Sequence, residues 1–183
     1  MNQVQNKMRS RVIYSVSAFV LAIMSVCLIA KPVLSAIYPL KYEEAIKKYS
    51  EMYSIDKHLI MAIISVESKF RENAVSTKGA KGLMQLKDET ALWCMENFNI
   101  EDSGDKNDLN INLGCAYFRY LTDKYKGYTD TALAAYNAGE GNVSLWLESQ
   151  GNDSVVLVDI PFGETKKYVE KVNKRFKIYK FLY

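Results

Sequence analysis

The chain has one histidine, three cysteines, three prolines and two tryptophans in 183 residues. His58 alone cannot supply a His-Glu-x-x-His pair, and no Cys-x-x-Cys spacing occurs, so the sequence offers no zinc mechanism. No acid precedes Glu43. Internal repeats and low-complexity stretches are lacking. Strand signals are scarce, which predicts a mainly α fold. Basic residues form no stripe of the kind that reads phosphates, so nucleic acid is not an expected partner.

The charge is unevenly placed. Four of the 24 Lys and Arg lie in residues 1–35, together with none of the 21 Asp and Glu. The remainder holds 20 basic and 21 acidic residues, so the net +3 reports topology and not polyanion binding. Residues 12–30 are 19 in a row without a charge, close to the ~20 that cross a bilayer as a helix. Lys7, Arg9 and Arg11 precede the run and Lys31 follows it, an asymmetry that keeps the N-terminus cytoplasmic. Residues 1–35 are therefore expected to be a transmembrane anchor. A cleaved signal peptide is the alternative, with a tolerable site before Ala36. Cys27 as a lipoprotein site is disfavoured by the bulky Val26. Either way residues 36–183 form one exported domain.

Within that domain, residues 36–40 read as a linker ended by Pro39. Helices are expected at 42–53, from Asp56 to about Phe70, at 85–98, 110–125, 129–137, 143–148 and 164–182. Residues 71–82 and 103–109 read as loops, and 154–161 as extended. Gly139 and Gly141 are expected to stop the fifth of these helices, with Gly139 as a left-handed cap. Cys94 and Cys115 fall on inward positions of two helices. They predict a disulfide in an exported domain, the alternative being two buried free thiols.

Glu67 is the residue that suggests chemistry. Leu59, Ile60, Ile63, Ile64, Glu67 and Phe70 follow one helix face, so a carboxyl stands where an apolar side chain is called for. Burial disfavours its charged form and raises its pKa, which suits a general acid. A helix-end Glu reaching water, or pairing with Lys69 or Arg71, is the other reading. Gly79 and Gly82 allow a loop to lie close against a ligand. Met84 offers a flexible apolar surface to a sugar face, and Gln85 a donor and an acceptor.

Four ordered blocks resemble the soluble lytic transglycosylases, whose domain is similar to goose-type lysozyme. They are Glu67-Ser68 with the loop through Ser76 to Gly79-Ala80-Lys81-Gly82-Leu83-Met84-Gln85; Asn110-Ile111-Asn112-Leu113-Gly114; Ala134-Ala135-Tyr136-Asn137-Ala138-Gly139; and Ile160-Pro161-Phe162-Gly163-Glu164-Thr165-Lys166-Lys167-Tyr168-Val169. The resemblance covers nearly all of the exported part. It implies a lysozyme-like domain with Glu67 as the catalytic residue. It places Ser76, Gly82, Leu83, Met84, Gln85, Tyr136, Asn137, Glu164 and Tyr168 at the substrate, with Tyr136 near the acid and Glu164 as a support, not a nucleophile. Lys69-Phe70 and Arg71-Glu72-Asn73 depart from the family's commoner small-aromatic and Asn-Pro choices.

The resemblance also implies a reaction on peptidoglycan glycan strands. Glu67 protonates the oxygen between N-acetylmuramic acid and N-acetylglucosamine, and the muramyl acetamido group stabilises C1. Glu67 then takes the proton of the C6 hydroxyl, which attacks C1 and leaves a 1,6-anhydro end. No metal or organic cofactor is called for. A lysozyme-like hydrolase, with a positioned water and a second base, is the nearest alternative. A silent wall-binding module is a more distant one.

Overall fold

The structure, a computed structural model, describes residues 2–151 and 155–183, without the side chains of residues 2–4, 6, 10, 12, 22, 23 and 26–29. Two compact units separate after Pro39. The first is helix α1, Asn2–Ile37, which runs through Pro32. The Tyr38 amide still bonds the Leu34 carbonyl at 2.8 Å, so the expected linker begins two residues late, where Pro39 forbids another turn. Among the described residues no helix is long and apolar enough to cross a membrane. The spanning anchor expected over residues 12–30 is thus not supported, and seven side chains of that run lie outside the described residues.

The second unit runs from Leu40 and holds α2 (Glu43–Tyr53), α3 (Lys57–Glu67), α4 (Asp88–Phe98), α5 (Lys106–Lys124), α6 (Thr129–Ala138), α7 (Glu140–Ser149) and α8 (Gly163–Leu182). Helix α3 is its centre. Every residue from Leu59 to Ser65 is buried, and a helix apolar all round can be satisfied only inside a domain. Each fully buried Ile or Leu there stabilises by about 1.5–3 kcal/mol. Asp56 caps its start, accepting from the His58 amide at 2.9 Å. Helix α5 packs against α2, α4 and α6, and α6 against α7. Between α3 and α4 the chain makes a folded loop with isolated antiparallel bridges, Val75 to Lys81 and Lys81 to Leu86.

Several boundaries differ from the sequence reading. Helix α3 stops at Glu67, not Phe70, because Lys69 and Phe70 both turn left-handed, at φ 53° and 58°. Phe70 is nonetheless buried, stacked on Tyr42 and edge-on to Tyr179. Gln85, at φ 51°, belongs to the loop, and α4 begins at Asp88. Helix α5 starts four residues early because the Asp105 side chain accepts from the Asn107 and Asp108 amides. Gly141 lies inside α7, which is longer than expected, and Gly139 joins α6 to α7 at φ 87°, ψ 143°, not as a left-handed cap. Residues 155–161 form no strand, and Ser154 lies outside the described residues.

Cys94 and Cys115 are both buried and free, so the expected disulfide is corrected. Cys94 packs between Leu86 and Leu113 in an apolar cluster. Burial pushes its thiol up to about 12 and raises Cys115 as well. The thiolate that would have to start an exchange is therefore suppressed.

Candidate active site

The acid sits at the last residue of α3, half-buried. Desolvation pushes the Glu67 carboxyl from 4.5 up to about 7. Its place at a helix C-terminus, the negative end of the backbone dipole, acts in the same direction. The Tyr168 hydroxyl faces it and opposes the shift, because a donor favours the carboxylate. The buried Tyr168 hydroxyl makes no full hydrogen bond. The left-handed pair Lys69–Phe70 turns the chain away directly after the acid. Two such non-glycine residues cost roughly 1–2 kcal/mol each, offset by burial of Phe70 and by the Ser68 hydroxyl, which donates to the Ile64 carbonyl at 3.1 Å.

After Glu67 comes the loop of residues 71–86, folded on its own side chains. Ser76 is its hub: its hydroxyl accepts from the Ala80 amide at 3.0 Å and from Lys78 at 3.3 Å. Gln85 spends both amide hydrogens on the Ala74 and Gly82 carbonyls, at 2.9 and 2.8 Å. Leu83 and Met84 are fully buried. The expected sugar contact of the Met84 side chain is thereby corrected, since that side chain lies in the core. Its backbone is what the site uses. The Met84 amide donates to Asn110 Oδ1 at 2.7 Å, and its carbonyl accepts from the Tyr136 hydroxyl at 2.9 Å. Two glycines make room: a Cβ on Gly82 would lie 2.6 Å from the Asn110 amide, and one on Gly114 2.4 Å from Met84 Sδ.

Tyr136 and Asn137 end α6. Burial and, next, the charge of Glu67 raise the Tyr136 phenol well above its ordinary value, which places it beside the acid. With its proton given to Met84, its oxygen can only accept, from protonated Glu67 or from a substrate hydroxyl. Asn137 Oδ1 accepts from the buried Thr165 hydroxyl at 2.9 Å, leaving its NH2 end for donation. Glu164 is placed differently from Glu67. It is exposed in the first turn of α8 and pairs with Lys78 at 3.6 Å. The structure thus gathers Glu67, Tyr136 and Tyr168, sets Ser76, Gly82 and Gln85 as the loop's framework, and leaves Glu164 at the rim. Asn110, Gly114 and Thr165 hold this arrangement together, and each lies inside one of the four motif blocks.

A cleft of about 400 Å³ lined by Glu72, Asn73, Val75, Lys81, Lys106 and Asn107 does not include Glu67. Glu67, desolvated at the end of α3, is the candidate acid instead. Among the described residues no group of three His, Cys, Asp or Glu is arranged to hold a metal ion.

Tyr168→Phe tests the electrostatic reading. Removing the donor raises the Glu67 pKa further, so the alkaline limb of kcat/KM moves to higher pH. An altered melting temperature with an unmoved limb would show that Tyr168 only packs.

The family model of the transglycosylase SLT domain matches residues 44–155. The soluble lytic murein transglycosylase of Salmonella typhimurium is 36% identical over 143 residues, 74% of this chain and 22% of that protein. Membrane-bound lytic murein transglycosylase C of Edwardsiella ictaluri is 29% identical over 170 residues, 76% of this chain and 46% of that protein. The crystal structure of the 70 kDa soluble lytic transglycosylase of Escherichia coli superposes with a TM-score of 0.73 at 32% identity, covering 81% of this chain and 25% of that one. The chain thus spans about a quarter to a half of the length of these relatives. On the family match and the shared helical fold, the chain belongs to the transglycosylase SLT domain family.

Proposed function

We propose that this chain is a peptidoglycan lytic transglycosylase that cleaves the β-1,4 bond between N-acetylmuramic acid and N-acetylglucosamine. The observation that carries the reading is a single carboxyl at the end of the central helix whose pKa burial raises to about 7. Protonated Glu67 gives its proton to the glycosidic oxygen as the C1–O bond breaks. The muramyl acetamido oxygen stabilises C1, and the ionised Glu67 is met by the Tyr168 hydroxyl. Glu67 then removes the C6 hydroxyl proton while that oxygen bonds to C1. The 1,6-anhydro ring closes and the carboxyl is restored. One acid thus serves twice. The hydrolytic alternative needs a second carboxylate about 5–9 Å away, and Glu164, turned to solvent and Lys78, is poorly suited to that role. Release of soluble muropeptides from purified peptidoglycan tests the activity. A folded full-length chain that releases none would contradict it.

In our reading this activity lies at the envelope, with α1 holding the chain to the membrane and the domain outside. The support is the charge asymmetry of residues 1–35 and the apolar side chains that α1 leaves exposed, among them Ile13, Phe19, Leu21 and Met24. Membrane-extracted protein is expected to keep its N-terminal residues by intact mass. A mature terminus near Ala36 would show a cleaved leader instead.

A further inference from the structure

We propose that the outward face of α8 is a docking surface for anionic phospholipid, with Lys167, Lys171, Lys174, Lys177 and Phe181 resting on the bilayer surface. This contact is separate from the glycan chemistry and fixes where the domain stands.

Helix α8 carries Lys or Arg at seven of its twenty positions and Glu at two. The exported part as a whole holds 20 basic and 21 acidic residues, so positive charge is concentrated on this one helix. The inner face of α8 is filled by Tyr168, Val169, Val172, Tyr179 and Leu182, all buried. Lys167, Lys171, Lys174, Lys177 and Phe181 follow one another at spacings of four, three, three and four and are all exposed. Such spacings make one stripe on a helix, here about 20 Å long. In the sequence these lysines are interleaved with core residues, so the stripe exists only on the folded helix.

Neither packing nor ion pairing accounts for this face. Lys166 pairs with Asp159 at 3.2 Å and Lys180 with Asp56 at 3.5 Å, while Arg175 donates to the Ser65 hydroxyl at 2.9 Å. Among the described residues, Lys167, Lys171, Lys174 and Lys177 have no carboxylate within ion-pair distance. Glu170 stands on the same side of the helix and offsets one charge of the four. Phe181 ends the stripe and is 69% exposed. Near it Tyr179 meets Phe70 edge-on at 6.4 Å, and Phe70 stacks on Tyr42 at 6.5 Å. Tyr42 comes just after Leu40, where the domain begins. The end of α8 therefore lies where the chain enters the domain from residues 1–39, the segment that holds it to the membrane in our reading. An acidic polymer would match the lysines equally well but has no use for an exposed ring among them. A bilayer surface takes both: phosphates meet the ammonium groups, and the ring enters the headgroup boundary. Tyr168, near the start of the same helix, faces Glu67, so docking along α8 also sets the height of the acid above the bilayer.

The test reads accessibility and not turnover, so the transglycosylase reading is judged separately. The full-length chain is mixed with phosphatidylcholine vesicles, with vesicles containing about one third phosphatidylglycerol, and with soluble polyglutamate. Lysine acetylation is followed residue by residue by mass spectrometry, with the exposed Lys87 as reference. Anionic vesicles are expected to slow acetylation of Lys171 and Lys174 about fivefold against neutral vesicles. Lys87 should be unchanged, and about 0.5 M salt should remove the protection. Binding to neutral vesicles reports the hold of residues 1–39 alone, so a failure of that anchor is seen separately. The combined variant Lys171→Gln, Lys174→Gln and Lys177→Gln, checked for folding by circular dichroism, is expected to lose protection at Lys167. Phe181→Ala is expected to weaken protection by anionic vesicles, and a variant protected as well as its parent would reduce the stripe to charge alone and overturn the choice of a bilayer. Equal acetylation with neutral and anionic vesicles overturns the docking surface. Protection by polyglutamate without protection by anionic vesicles overturns it in favour of an acidic polymer.

Discussion

Glu67→Gln is expected to lower cleavage at least ~100-fold and, at the same time, to make the fold more stable above neutral pH. The amide matches the carboxyl in size but can neither give nor take the proton. The stability effect follows from linkage. Glu67 has a folded pKa of about 7 against an ordinary 4.5. Below 4.5 it is neutral in both states and contributes nothing. Between 4.5 and 7 the unfolded chain releases the proton while the folded chain holds it, so stability falls as pH rises. Above 7 the loss is constant, on the order of 2–3 kcal/mol. Gln cannot ionise, so the variant escapes that loss. Its melting temperature should match the parent's at pH 4 and exceed it by roughly 5 °C or more at pH 8. Equal melting temperatures at both pH values would mean that Glu67 is not desolvated. Substantial cleavage by the folded variant would remove it from the mechanism.

The second large effect is expected at Gly82. Its φ of 79° is left-handed, and a Cβ there would press to 2.6 Å on the Asn110 side chain. Asn110 cannot step aside cheaply, because it accepts from the Met84 amide at 2.7 Å and donates to the Lys81 carbonyl at 3.2 Å. Gly82→Ala therefore combines backbone strain with the loss of a partly buried hydrogen bond, about 2–4 kcal/mol together. Cleavage should fall too, since a shifted Met84 carbonyl releases the Tyr136 hydroxyl. Gly79 is the control. Its φ of 82° is similar, but no atom lies within 4 Å of the added Cβ, so Gly79→Ala should cost only about 1–2 kcal/mol. Urea unfolding compares the two, and equal losses would show that the contact with Asn110 does not matter.

The central helix could be read from the chain because Leu59, Ile60, Ile63 and Ile64 repeat at its period, and Glu67 was conspicuous because it broke that pattern. The end of the helix could not. Lys69 and Phe70 turn left-handed without being glycine, so no residue type announces the turn. The start of α5 was hidden for a related reason. Asp105 caps it inside a polar run, and polarity alone reads as loop. For the site, motif position marks the loop as a unit but not which way each side chain faces. Met84 was expected at the sugar and is in the core, because the cavity that receives it is made by Gly114, thirty residues on. Asn110 lies in one of the four motif blocks, yet its role appears only when the fold brings it against a loop 26 residues earlier. The disulfide failed on environment: two inward cysteines were correctly inferred, but burial without a bridge suits an apolar thiol equally well.

Mass spectrometry of the soluble products released from purified peptidoglycan tests the central claim most directly. If Glu67 returns the C6 hydroxyl as the nucleophile, the muramic ends are 1,6-anhydro and one water lighter than hydrolysed ends. Products made in heavy-oxygen water then carry no label at C1. Reducing muramic ends bearing the solvent label would contradict the account, because they would show that water, and not the substrate's own hydroxyl, completes the reaction.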